Sequence, residues 1–575
     1  MAAVNGDTIQ VAAGTYVENI NFLGKSVALI GAGMGQSTID GGQNGSVVTF
    51  IGGEVAAVLE GFTITNGTGT TVNSLIGPIL MGGGVFLDVF LNPNAAAANA
   101  GLSPTIRNCE ITGNTADWGA GLYYFYGASG IVEDCLISLN TATGGPGGLG
   151  TFQAPTIQIR RCVFQNNVAA GSAGLSIGGQ NSIDPATWPT IEDCLFEGNV
   201  AVGTALPGPS GIGFVGGLGL GQAGAHIRRC TFRNNMSSHW GGAFGSQDSP
   251  GFNVENCLFD GNAADKGGAF YLSNGLPFSI IDLRFRNCTF VNNMATSEGM
   301  ILHTGGSSPI SLTNCLIQGN GGGAPQVAWI GTYGNAVTLN HCNVQGGWTG
   351  LGTGNFDLPP LFENAAAGDY HLRPDSPCVD AGMGYPATEP LPFDFEGEPR
   401  QIYAAIDVGM DECGDIAASP SFAGTILDAA GQPADLLTVG GQTGGSLRRL
   451  EFAVPAPFSV EMALPPGHPG GAPFVIFGAA ARADYTSPVT LPLGLGTMSF
   501  VPCALAPYFQ PFLFTLANNA GGLPCPAILP SQPAPWASGV VGFLPFPMEF
   551  TLQGLIVTDA MGSIGITNGI VVLVR

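Results

Sequence analysis

Charge is scarce in this sequence: 10% of its 575 residues are Asp, Glu, Lys or Arg, and lysine occurs only at Lys25 and Lys266. Disordered chains combine high charge density with low hydrophobicity, so a composition that is 45% apolar excludes that class. Helical bundles need a large share of Ala, Glu, Lys, Leu and Arg at helical spacing, and that pattern is absent too. Proline, glycine or a charge interrupts every apolar run before the ~18 residues of a membrane-crossing helix, so no membrane span is expected. Familiar catalytic signatures are also missing. Without G-x-S-x-G, a phosphate-binding loop, H-E-x-x-H or a C-x-x-C pair, serine hydrolase, nucleotide and zinc chemistry have no support. The opening MAAVNGDTIQVAAGTY lacks the basic start and apolar core of a signal peptide and reads as a strand, from which a longer natural N-terminus is expected.

What is abundant is glycine, 91 residues without the period of collagen, together with a repeat. Nine of the 13 Cys, at 109, 135, 162, 194, 230, 257, 288, 315 and 342, follow one another at intervals of 26 to 36 residues. Two residues after each Cys stands an apolar side chain, from Ile111 and Ile137 through Phe164, Phe196, Phe232, Phe259 and Phe290 to Ile317 and Val344. Three before it stands another, from Ile106 to Leu339. Five after it comes Asn114, Asn140, Asn167, Asn199, Asn235, Asn262, Asn293 or Asn320, with Gly347 in the ninth repeat. Asn and Gly tolerate a left-handed backbone, so a sharp bend is expected at each of these positions. Short strands ending in such bends cannot bury an apolar face alone. Stacked in parallel register ~4.8 Å apart, they form a right-handed parallel β-helix in which identical residues make internal files. The nine Cys then stand in one buried file as reduced thiols, because parallel neighbours hold their Cβ atoms beyond the ~3.5–4.5 Å a disulfide uses.

The segment GDTIQVAAGTYVENINFLGKSVALIGAGMGQSTIDGG resembles the first coils of secreted β-helix proteins of the pectin-lyase-like superfamily. The pairs FRNNMSSHWGGAF and FDGNAADKGGAF resemble the repeats of polymorphic outer-membrane adhesins, and residues 369–412 look like the closing module of many bacterial β-helices. The resemblance implies an all-β chain: a right-handed parallel β-helix over 1–357, its closing module over 358–416 and, where the repeat is lost, a C-terminal β-sandwich over 417–575. It also implies an extracellular or cell-surface setting. For activity it is weak, because one fold hosts lyases, hydrolases and inert adhesins. Such relatives usually carry a capping helix before the first strand, and its absence here would leave an open edge. A disulfide between Cys503 and Cys525 would suit an oxidising exterior, and the pairing of Cys378 with Cys413 is left open by the sequence.

Net charge is -24, so nucleic acid is not an expected partner. Ligands of a β-helix lie along its outer face, and one patch of functional side chains stands out. Aligning the turns that precede the Gly-Gly-Ala-Phe strands places His239 beside Asp265 and Trp240 beside Lys266. The following coil adds Glu298, and an earlier one adds Asp117 and Trp118 at the same register. If a polysaccharide lies in this groove, Trp118, Tyr123, Trp240 and Tyr271 would stack on sugar faces beside Asp117. His239 or Lys266 would be a base, and Asp265 or Glu298 an acid. The competing reading is a solvated turn whose Trp rings cover Gly-rich backbone. The expected function is therefore a secreted or cell-surface β-helix that binds glycan or a neighbouring surface without chemistry, with a polysaccharide lyase or glycoside hydrolase as the alternative. No cofactor is expected. The dense carboxylates of the closing module (Asp369, Asp375, Asp380, Asp394, Glu396, Glu398, Asp407, Asp411 and Glu412) would suit calcium, although turns and caps account for them equally.

Overall fold

The computed structural model describes residues 3–413 apart from 75–76, 90–101, 154–155, 180–181, 204–214, 275–281, 300–301, 307–308, 322–326, 330–336, 374–375, 387–390, 398 and 401–404, and beyond 413 the strands alone. Two compact units are distinguished: residues 1–358 with 394–397 and 408–411, and residues 359–393, 398–407 and 412–575.

In the first unit the chain winds so that each coil gives one short strand to each of several parallel sheets. The first sheet runs from Thr8–Gln10 to Val337–Asn340 and the second from Gly14–Val17 to Asn343–Val344. The third runs from Thr115–Ala116 to Met294–Glu298, and the fourth from Ile20–Asn21 to Val327–Trp329. This is the right-handed parallel β-helix that the repeat predicts. An antiparallel hairpin, Thr70–Ser74 with Gly77–Met81, departs from the winding.

The two apolar files flanking each Cys face the core and are buried throughout. Phe164, Phe196, Phe232, Phe259 and Phe290 form a continuous ring stack, with centroids 4.7 to 4.9 Å apart and planes within 8° of parallel. The nine Cys are buried free thiols, as expected. They are not merely apolar filler. Each of the pairs Cys162–Cys194, Cys230–Cys257 and Cys315–Cys342 carries a backbone N–H to Sγ contact at 3.4 to 3.5 Å, and the thiols point to carbonyls of the preceding coil.

The bends differ from the expectation in an instructive way. Left-handed φ falls on the residue before each Asn, as at Gly113, Leu139, Asn166, Gly198, Asn234 and Gly261, and on the residue before each Cys, from Asn108 to His341. The repeated Asn are instead buried. Asn262 is typical: its Oδ1 accepts from Asn235 N and Nδ2 at 3.0 Å each, while its Nδ2 donates to Phe232 O at 2.9 Å. The same bonds recur from Asn114 to Asn320. The Asn is kept because a buried amide can satisfy backbone and neighbour together, whereas the bend itself is made one residue earlier.

In the second unit, Phe362–Asn364 pairs antiparallel with Asp369–Leu372. Its C-terminal part holds a seven-stranded sheet centred on Phe474–Ala479 and Met548–Val557, and a three-stranded one of Leu437–Val439, Val460–Met462 and Trp536–Ala537. Cys378 and Cys413, a candidate disulfide in the sequence, are buried and are not joined by a disulfide. Cys503 and Cys525 lie outside the described residues. Among the described residues, no helix is long and apolar enough to cross a membrane.

Candidate functional site

The corner between the third and fourth sheets carries the predicted catalytic residues. Here each coil must turn sharply into a Gly-rich strand. Gly267, at φ +66, does this where a Cβ would lie 2.1 Å from Phe270 O. Trp240 bridges to Lys266, and Lys266 pairs in register with Glu298. The Lys266 N–H donates to His239 O at 2.9 Å. His239, Asp265, Lys266 and Glu298 therefore fall on three successive coils, in the alignment the sequence gives. Only the backbone of Glu298 is described.

Asp265 Oδ1 accepts from Thr296 Oγ1 at 2.7 Å, and Ser297 Oγ donates to the Asp265 carbonyl at 2.9 Å. The Thr296 hydroxyl holds this carboxyl below its ordinary range, with Ser297, Lys266 and His239 adding to the effect against slight desolvation. A carboxyl so held is tuned toward its ionised form, which does not favour the proton-donor role that the sequence offered for it. His239 Nδ1 lies 2.8 Å from Ser238 Oγ, whose hydroxyl donates to Gly203 O at 3.1 Å. That arrangement makes Nδ1 the protonated ring nitrogen.

The aromatic platform is not built as expected. Tyr123 is 1% exposed, and burial pushes its phenol far above the ordinary value, so it cannot stack on a ligand. Its ring occupies the space above Gly150 of the next coil, where a Cβ would meet it at 2.7 Å. Trp118 lies over Gly144 and Gly145, with its ring edge-on to Tyr123 at 6.3 Å. Trp240 stacks face to face on Tyr271, centroids 5.2 Å apart and planes 8° from parallel, so these two rings take one face from each other. Asp117 accepts from Thr143 Oγ1 at 2.5 Å and from the Leu80 N–H at 2.9 Å, which makes it a corner brace. Four strand steps of the third sheet separate its coil from that of Trp240, or ~19 Å. Asp117, Trp118 and Tyr123 thus do not belong to the His239 cluster.

Sequence reasoning missed an ion-pair file on the outside of the first sheet. Glu60, Arg107, Glu133, Arg160, Glu192, Arg228, Glu255 and Arg286 follow one another in backbone register, with alternating sign. Arg107 reaches Glu60 at 2.8 Å, Arg160 reaches Glu133 at 3.4 Å, and Arg228 bridges Glu192 at 3.2 Å and Glu255 at 2.9 Å. Arg286 closes on the buried Glu255. A second, shorter file beside it pairs Asp134 with Arg161 and Asp193 with Arg229, each at 2.7 Å. The signal stood in the dipeptide before each of the first seven repeat Cys: RN, ED, RR, ED, RR, EN and RN.

In the second unit three of the closing-module acids accept from backbone N–H groups. Asp407 accepts from Asp380 N and Cys413 N at 2.7 Å, Glu412 accepts from Asp407 N at 3.1 Å, and Asp380 accepts from Ala405 N at 2.8 Å. Burial pushes the Asp407 carboxyl up to about 7. Asp375 and Glu398 lie outside the described residues. His226 is held structurally: its Nε2 is 2.9 Å from Pro185 O, its ring packs on Trp188, and burial lowers its pKa.

The family description "right handed beta helix region" matches residues 36–218 and 207–344, together more than half of the chain. No curated protein and no solved structure matches it.

Proposed function

This chain belongs to the right handed beta helix family, and from that premise and the geometry of the His239 corner we propose that it binds glycan at the cell exterior and performs no chemistry. The observation that carries this reading is the state of Asp265. It accepts a hydrogen bond from Thr296 of the next coil, stands next to Lys266 on its own coil and beside His239 of the preceding one, and these neighbours favour its ionised form. A proton donor needs the opposite tuning, whereas a fixed carboxylate beside a cation and hydroxyls is a set of partners for sugar hydroxyls. The family supports a scaffold and leaves the activity open, since a fold of this kind hosts unrelated functions. Placement outside the cell is part of the same proposal.

A glycan array, run with reducing-sugar and unsaturated-product assays on the polysaccharides that bind, tests it. Binding without turnover is expected. Asp265→Ala should weaken that binding by about 1 kcal/mol, the worth of a hydrogen bond to a charged group net of its solvation. Turnover that disappears in both Lys266→Met and Asp265→Asn would overturn the reading in favour of an enzyme.

A further inference from the structure

The third sheet presents an outer face of a different character from the rest of the surface. Its inward residues are almost all alanine and are buried, from Ala116 to Ala295, so the strands lie on a shallow and even support. Outward, Val168, Val200, Met236, Ala263 and Met294 stand in one file on consecutive coils, in backbone register. Met236 and Met294 are about half exposed, and Val202 in the neighbouring file is 54% exposed. Thr141, Thr143, Ser238 and Thr296 edge the same face and are exposed. Asp117 and Asp265 are its only charges among the described residues of the two files, in a chain whose net charge is -24.

We propose that this face seats a flat, neutral polysaccharide surface, the packed chains of an insoluble fibre; the inference rests on the glycan-binding reading above and names its substrate class. Sugar rings turn C–H faces to Val and Met, and their hydroxyls meet the Thr and Ser rim. Three features favour this occupant. A membrane surface would need a cluster of lysine or arginine on the face, and the described strands of the third sheet carry a single one, Lys266, next to Asp265. A partner protein would be expected to anchor an aromatic or arginine side chain in a pocket, and the face is even. A second copy is limited by area: six strand steps of ~4.8 Å by two files ~7 Å apart give roughly 200–300 Å² per side. Stable dimers bury about 800 Å² per side. An insoluble fibre presents the same site many times over, so a molecule released from one site is recaptured at the next and a small contact area suffices to deplete it from solution.

The full chain is mixed with microcrystalline cellulose and with chitin powder, and its depletion from solution is measured. Three forms are compared: the parent, Val200→Asp with Met236→Asp and Met294→Asp, and Val17→Asp, which alters an exposed apolar side chain elsewhere. Met236→Thr with Met294→Thr serves as a milder pair that keeps strand-forming residues. Depletion of the parent by one of the powders is expected, with a loss of roughly tenfold or more in the triple variant, an intermediate loss in the Thr pair and no change in Val17→Asp. Equal retention of parent and triple variant overturns the proposal. If soluble glycans bind on the array while neither powder depletes the parent, this inference fails and the glycan reading stands. If nothing binds in either format, both fail. Sedimentation showing a dimer that the triple variant abolishes, without depletion, would assign the face to a second copy and overturn the polysaccharide.

Discussion

Asn262 stands between two neighbours that depend on it. Both the backbone N–H and the side-chain amide of Asn235 end on its Oδ1, and the Phe232 carbonyl ends on its Nδ2. Replacing it removes all three at once in a site that water does not reach. Leaving buried donors unmet costs about 1–3 kcal/mol for each group, so Asn262→Val and Asn262→Gly should both destabilise by about 2–5 kcal/mol in denaturant titrations. If a left-handed bend were what Asn262 supplies, the Gly variant would instead be mild. Near-neutral behaviour of Asn262→Gly would restore that view. The bend is instead priced one residue earlier, and Leu139 shows it: a γ-branched residue at φ 56 with its side chain 60% exposed. Asn tolerates this region far better, so Leu139→Asn should raise stability by about 0.5–1 kcal/mol, seen as a higher melting temperature. A lower melting temperature would mean that Leu139 makes contacts worth more than its backbone strain. That Asn recurs was legible. Which of two adjacent positions bends was not, because Gly113, Gly198 and Gly261 alternate with Leu139, Asn166 and Asn234, and no single residue type marks the bend.

At the scale of the strand, what the sequence showed least was partnership. The Glu and Arg preceding each Cys were in view, yet they become alternating ladders only when coils stack in one register. A slip of the winding by one coil would set Arg beside Arg and Glu beside Glu, so the file of Glu60 to Arg286 opposes that slip. Glu255 is its most buried member, between Arg228 and Arg286. Burial alone would raise its pKa, but Arg286 and then Arg228 outweigh it and hold the carboxyl below its ordinary value. A depressed pKa contributes stability that is complete above the unfolded value, about 4.3, and is lost as pH falls through the folded one. Unfolding should therefore sharpen in acid below about pH 4. Glu255→Gln should flatten that part of the profile while costing stability at pH 7. Arg228→Glu should cost about 1–3 kcal/mol at low salt, discounted because the Arg228 side chain is 38% exposed, and less at 1 M salt. A stability profile in which Glu255→Gln leaves the acid limb unchanged would remove the ladder from the account. The aromatic platform failed at this same scale. Alignment alone put Tyr123 at the surface, whereas its ring lies over Gly150 of the next coil in an apolar cluster with Met81, Phe86 and Trp118 that covers it.

For the whole molecule, the fold was legible because one 26-to-36-residue period repeats the same files, and stacking is the only way such coils bury them. The site was legible only in part: register placed His239, Asp265, Lys266 and Glu298 together, but it could not reveal how Thr296 and Ser297 hold Asp265. The distribution of charge decides which ligands the surface admits. Of the 16 basic residues, Arg107, Arg160, Arg161, Arg228, Arg229, Arg233 and Arg286 are already joined to carboxylates. They are not a basic stripe waiting for a polyanion. The excess of acid over base then acts as a long-range repulsion toward any anionic chain, weakened by salt beyond a screening length of about 8–10 Å. Neutral polysaccharides escape this penalty. Their binding should change little between 50 and 500 mM salt and should be indifferent to a chelator, whereas pectate and alginate should bind weakly at low salt and somewhat better as salt rises. Titrations of one neutral glycan and one polyuronate across that range, with and without calcium, measure this directly. Tight polyuronate binding that appears only with calcium would reverse the argument, because a bridging cation would then be using the acidic surface rather than being excluded with it.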